Sequence, residues 1–146
     1  MPTAAKVVAA LFFAALGYLS ADIAKPLLPE GTPTHWMNET VAFFGLLMGW
    51  NVVGTRVGDG TRASFGYGLT AAVLTAFWSL FMFAGADMLD KSMARRYRGP
   101  IEALQDMFGI FTDYAAMILV PSMFLAIVIG GGFGGYIAEW ASRRWK

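Results

Sequence analysis

The chain has 146 residues, 57% of them apolar, 15% aromatic and only 14% charged. Soluble domains carry about 25% charged residues, so this chain lacks the surface charge that water demands; its mean hydropathy of +0.54 agrees. Eleven Lys and Arg against ten Asp and Glu leave a net charge of +1, which excludes a basic nucleic-acid binder. With no cysteine and one histidine, a single copy supplies no disulfide, no thiolate metal site, no thiol redox chemistry and no pair of histidines for a haem. The composition is that of a small, all-α integral membrane protein in one membrane domain.

Charge-free stretches map the crossings. Val7–Ala21 runs 15 residues without a charge, Thr40–Thr55 runs 16, Ala63–Ala86 runs 24 and Tyr114–Ala138 runs 25. A helix needs about 20 mostly apolar residues to cross a core of about 30 Å. The last two stretches qualify outright. The first two qualify when Lys6, Lys25 and Arg56 snorkel to the interface. Backbone groups in lipid must pair internally, so each segment is expected to be helical. Four transmembrane helices follow, over about 4–27, 37–55, 63–89 and 122–143. The first resembles a signal peptide, with one Lys ahead of an apolar run, and is expected to remain as an uncleaved anchor.

A different segment separates the third and fourth spans. Lys91, Arg95, Arg96 and Arg98 precede Gly99-Pro100, after which Ile101, Leu104, Phe108, Phe111 and Ala115 recur at helical spacing. Pro100 suits a first helical turn, where its missing N–H costs nothing. Glu102, Gln105, Asp106 and Asp113 fall largely off the apolar stripe. This pattern predicts an interfacial amphipathic helix over about 100–119. Pro121 then breaks the chain before the last span; the alternative is one long kinked helix from Pro100 to Arg143.

With four spans both termini share a side. Lys6, Arg56, Arg62, Arg143, Arg144 and Lys146 lie there, against Lys25, Lys91, Arg95, Arg96 and Arg98 opposite. Six against five is a narrow margin for the positive-inside rule, and the weight given to the first helix places both termini in the cytoplasm.

Small residues recur at packing spacing. Gly45 and Gly49 lie in the second span, Ser64 and Gly68 open the third, and Gly130, Gly131, Gly132, Gly134 and Gly135 surround Phe133 in the fourth. Glycines four apart let helix backbones approach closely. They serve packing within this bundle, or else Gly45, Gly49, Gly130, Gly131, Gly134 and Gly135 form a docking face for a partner helix. Among ionisable groups, Asp22 has Lys25 three residues on and Asp87 has Lys91 four residues on, both pairing distances on a helix. Asn51, Thr70, Thr75 and Ser79 are the deeper polar side chains, and hydrogen bonds between helices are expected to satisfy them. Arg95, Arg96 and Arg98 form the one cluster suited to an oxyanion or an anionic lipid headgroup. The plainer reading is a solvated cluster balanced by Asp90, Glu102 and Asp106.

His35 beside Trp36 reads as a loop residue, the alternative being a lone pigment or metal ligand. Trp36, Trp50, Trp140 and Trp145 fall near span ends, as aromatic belts do, and Trp78 lies deeper as packing. The nine Met residues are scattered filler rather than a soft-metal site. Gly58-Asp59-Gly60 reads as a tight turn. No nucleophile–His arrangement, phosphate-cradling loop or metal-ligand spacing occurs, so neither an enzyme nor a cofactor is expected.

Met1-Pro2-Thr3-Ala4-Ala5-Lys6, Lys25-Pro26-Leu27-Leu28-Pro29-Glu30-Gly31-Thr32, Gly45-Leu46-Leu47-Met48-Gly49-Trp50, Tyr97-Arg98-Gly99-Pro100-Ile101-Glu102-Ala103-Leu104, and Glu139-Trp140 followed by Arg143-Arg144-Trp145 resemble, in order and over nearly the whole chain, the TrgA family of small bacterial membrane proteins. The resemblance implies an inner-membrane location and an association with tellurite resistance; it implies no catalytic residues. Tellurite is commonly detoxified by thiol reduction, and a chain without cysteine cannot supply the thiol. Two functions are therefore expected. One is support of tellurite or oxyanion tolerance with Arg95, Arg96 and Arg98 as anion contacts. The other is an accessory subunit or assembly factor of a larger photosynthetic or respiratory complex. Expected partners are membrane lipids and other integral membrane subunits.

Overall fold

In the computed structural model, which describes residues 4–32 and 34–145, helices and turns account for the chain and no strand occurs among the described residues. The helices are α1 (Ala4–Ala24), α2 (Met37–Met48), α3 (Thr61–Met93), α4 (Pro100–Ile118), α5 (Pro121–Leu125) and α6 (Gly131–Arg144). A 3₁₀ turn, Lys25–Leu27, prolongs α1, and π turns prolong α2 over Gly49–Val53 and join α5 to α6 over Ala126–Gly130.

Three helices are long and apolar enough to cross a membrane: Ala4–Leu27 with 24 residues, Thr61–Met93 with 33 and Pro121–Arg144 with 24. The second predicted span is shorter. Its 12 α-helical residues and five-residue π turn rise about 25 Å at about 1.5 Å per residue, below the core thickness of about 30 Å. The third runs past its predicted 63–89 at both ends. Pro121 separates α4 from the last span, because the residue before proline is pushed out of helical backbone; Val120 is extended at φ −98°, ψ 153°. One kinked helix from Pro100 to Arg143 therefore does not form.

Four helices close a ring in which α1 packs on α2, α2 on α3, α3 on α6 and α6 on α1. Its neighbours are antiparallel. Along α1 and α2, Gly17 faces the Val41 carbonyl and Gly49 faces that of Ala9; along α3 and α6, Gly68 meets Gly131 and Gly135 meets Ser64. Phe13 and Val53 are the large side chains wholly enclosed near the start of α1, among Ala9, Ala71, Ala72 and Ala138. Ala21, Ala24, Met37, Val41 and Met123 fill the other end. At Gly58-Asp59-Gly60 the expected tight turn forms, both glycines taking left-handed backbone at φ 116° and 108°.

α3 is about 50 Å long by its rise per residue, so its last turns outrun the ring. α4 folds back on that projection through Met107, Ile110 and Tyr114, which bury against Ala84. The opposite stripe of α4, Ile101, Leu104 and Phe108, points outward and is 74%, 54% and 60% exposed. Phe111 and Ala115, placed on that stripe by sequence, turn partly inward; Phe111 meets the Phe77 ring edge-on at 5.4 Å.

Candidate anion-contact loop and the buried polar clamps

α3 stops in a double hydrogen bond. The Arg95 N–H donates to the Ser92 carbonyl at 3.0 Å and the Arg96 N–H to that of Lys91 at 3.3 Å, the paired closure of a Schellman motif. This motif needs left-handed backbone at the residue after the cap, a place glycine usually takes. Here Arg95 takes it, at φ 56°, as the one non-glycine residue with positive φ among those described.

α4 begins a few residues later with Pro100 in its first turn. Glu102 reaches back to accept the Arg98 N–H at 2.9 Å, a near relative of the capping box. Between the two helix ends, Lys91 Nζ lies 3.4 Å from both Asp87 Oδ2 and Asp106 Oδ2. The Tyr97 hydroxyl donates to Asp106 Oδ2 as well. Half-burial and the Asp106 carboxylate push the Tyr97 phenol up to about 12. In return the Tyr97 hydrogen bond, with Lys91, holds Asp106 below the ordinary carboxylate range.

Arg95, Arg96 and Arg98 are exposed on this closed loop. The carboxylates expected to balance them are engaged elsewhere or apart: Asp106 serves Lys91 and Tyr97, and Glu102 serves a backbone N–H. Among the described residues, no carboxylate stands within ion-pair distance of the three guanidinium groups. The expected local pairs Asp22–Lys25, at 3.1 Å, and Asp87–Lys91 do form.

The six candidate docking glycines all face this chain's own helices. Methyl groups added at Gly45, Gly49, Gly131 and Gly135 would strike backbone or side-chain atoms of a neighbouring helix, at 2.5 Å from the Ala9 carbonyl for Gly49 and 2.9 Å from Ala72 Cβ for Gly131. At Gly134 one would strike Phe12 Cδ1 at 2.7 Å, and at Gly130 it would overlap the end of Leu16. The surface left for a second protein is therefore not the glycine stripe.

A second polar centre lies where no sequence pattern marks a site. Glu139, 3% exposed, accepts the Gly58 N–H at 2.7 Å and the Ser64 hydroxyl at 2.8 Å on Oε2, and Arg143 Nε at 3.0 Å on Oε1. It ties α6 to α3 and to the α2–α3 turn in one residue. Its signals in the sequence were Arg143 four residues on and Ser64 on the small-residue stripe. The expected hydrogen bonds between helices at Asn51, Thr70, Thr75 and Ser79 do not form. Each donates to a carbonyl four residues back in its own helix, at 2.7–2.9 Å, because that acceptor is always within reach of a short side chain. Asn38 does cross helices, donating to Asp22 Oδ1 at 2.8 Å. Trp78 is not inner packing: it is 41% exposed on the outer face of α3. His35 sits in the α1–α2 loop, edge-on to Trp36 at 5.3 Å.

In comparisons with known proteins, the chain matches no protein-family model, no curated protein and no solved structure.

Proposed function

We propose that the chain is a non-enzymatic, TrgA-type protein of the bacterial inner membrane that supports tellurite and oxyanion tolerance, with Arg95, Arg96 and Arg98 as the anion contact. The observation that carries this reading is the loop itself: three exposed guanidinium groups without carboxylate partners, one of them held in backbone that favours glycine. Strain kept at a charged residue points to a use for that side chain. Guanidinium pairs with oxyanions through two parallel N–H bonds, and partners already bound to Lys91 and Tyr97 leave these three free to do so.

In this reading Met37–Val53 completes a fourth crossing, its flanks supplying what its length lacks, and both termini are cytoplasmic. α4 lies in the interface with Ile101, Leu104 and Phe108 toward the acyl chains, which puts the arginine loop at headgroup level. The alternative reading, an accessory subunit of a photosynthetic or respiratory complex, requires a docking face other than the covered glycines.

Growth on tellurite of cells with and without the chain, together with native-gel migration after mild detergent extraction, tests the proposal. Tolerance that follows the chain while it migrates alone or as a small homo-oligomer supports it. Stoichiometric recovery in a respiratory or photosynthetic complex, with tolerance unchanged by deletion, overturns it.

A further inference from the structure

An open cavity of about 580 Å³ lies where α3 leaves the ring, lined in part by Glu30, Asp87, Lys91, Arg96, Asp113 and Tyr114. Below it runs an apolar cleft between α1, α2, α3, α4 and α5, lined in part by Ala24, Met37, Ala76, Leu80, Ile118 and Met123. Thr32 and Tyr114 line both, so the polar chamber opens onto the cleft at those two side chains. A second apolar cleft, sharing Ser20, Val41, Ala76 and Met123 with the first, continues toward Phe13 and Ala72.

We infer that the chamber and cleft together bind one phospholipid with a phosphoethanolamine head. The charges decide the head. Lys91 is occupied by Asp87 and Asp106, whereas Arg96, Glu30 and Asp113 have no ion-pair partner among the described residues. One unpaired guanidinium and two unpaired carboxylates facing one chamber match a head that carries a phosphate and a primary ammonium. A phosphatidylglycerol head would leave both acids unanswered, and a choline head has no N–H to give them.

The tails start where the chamber meets the cleft, at Thr32 and Tyr114. The cleft is only about 60 Å³, against about 150 Å³ for a cavity that holds one benzene. It therefore takes the first few carbons of one tail, and the rest of that tail and the second tail lie along the outer faces of the helices. Arg96 thus serves both this site and the proposed anion contact; the other lipid ligands are separate from that contact.

The test uses the full chain, purified in mild detergent, stripped of lipid and titrated without any oxyanion while native mass spectrometry counts bound molecules. Phosphatidylethanolamine should bind one per chain, about 10-fold more tightly than phosphatidylglycerol or phosphatidylcholine of the same tails. Soluble glycerophosphoethanolamine should bind at least about 10-fold more weakly than the lipid. Glu30→Gln and Asp113→Asn together should erase the preference over phosphatidylglycerol. In the unaltered chain, a phosphatidylethanolamine with a photoreactive group in the first carbons of one tail should label Leu28, Tyr114 or Ile118. Equal affinity for the three lipids, equal affinity for the tail-less head, or labelling confined to the outer faces of α3 and α4 overturns the inference. With oxyanion absent, these outcomes are independent of tolerance, which growth measures separately.

Discussion

The Ser64 hydroxyl donates to Glu139 Oε2 at 2.8 Å across the point where α3 and α6 come closest. The same oxygen takes the Gly58 N–H at 2.7 Å, so one buried carboxylate fastens two helices and the turn between α2 and α3. Hydrogen bonds to charged acceptors contribute about 1.5–3 kcal/mol, and losing the acceptor leaves buried donors unpaired. Glu139→Ala is therefore expected to lower stability by about 3 kcal/mol, read from the unfolding midpoint in detergent. A Glu139→Ala, Ser64→Ala double-mutant cycle should show coupling above about 1 kcal/mol. Additive losses would mean the two residues act separately.

The glycines predict opposite signs at neighbouring positions. A methyl at Gly135 runs into the Ser64 carbonyl, and one at Gly68 into that of Gly131; backbone cannot step aside, so Gly135→Ala should cost about 2–3 kcal/mol or more. At Gly66, two residues before Gly68 on the same helix, a methyl meets nothing within 4 Å. Gly66→Ala should be neutral or stabilise by up to about 1 kcal/mol through helix propensity. The same loss at both positions would deny the close approach of α3 and α6.

Those contacts also mark how far sequence could go. The small residues were legible as packing elements because spacing alone puts them on one face. Their neighbours were not, since period 3.6 names a face and says nothing about which helix it meets. In the sequence Glu139 ends a charge-free stretch and opens a Glu-Trp motif, neither of which marks it as buried; its burial follows from Gly58 and Ser64, 81 and 75 residues away. The shortfall of the second span has a similar origin. Charge-free length counts residues to Thr55, whereas the helix ends at Val53 because Gly54 begins the turn. The arginine cluster was visible, but its freedom from carboxylates required knowing that Lys91 and Tyr97 claim Asp106.

Tyr97 and Asp106 make the docking of α4 on α3 dependent on pH in two windows. Asp106 has a lowered pKa when folded, so its contribution is complete above its ordinary value of 3.8 and fades as pH falls through the lower folded value. Tyr97 has a raised pKa, so its contribution is complete below its ordinary 10.0 and fades as pH rises toward about 12. Ultraviolet difference titration of the native chain against Tyr97→Phe should resolve one phenol ionising near pH 12. Ionisation near 10 would contradict the hydrogen bond.

Arg95 should trade stability for use. Left-handed backbone costs a non-glycine residue about 1–2 kcal/mol, so Arg95→Gly is expected to raise the unfolding free energy by about 1 kcal/mol while weakening tellurite tolerance. A variant both more stable and fully tolerant would leave the strain without a purpose.

Because the chain has no cysteine, single introduced cysteines report topology against no background. Four crossings predict that Asp59→Cys and Ser142→Cys react with impermeant maleimide only after the cytoplasmic side is opened, and Gly31→Cys and Ser92→Cys before. Asp59→Cys reacting on the side of Gly31→Cys would show that Met37–Val53 enters the bilayer and returns.

The most direct measurement on the central claim is growth on tellurite of cells carrying Arg95→Gln, Arg96→Gln and Arg98→Gln together, with membrane levels matched to the unaltered chain. The account predicts tolerance falling to that of cells lacking the chain, while extraction and native-gel migration stay unchanged. Tolerance equal to the unaltered chain would contradict it.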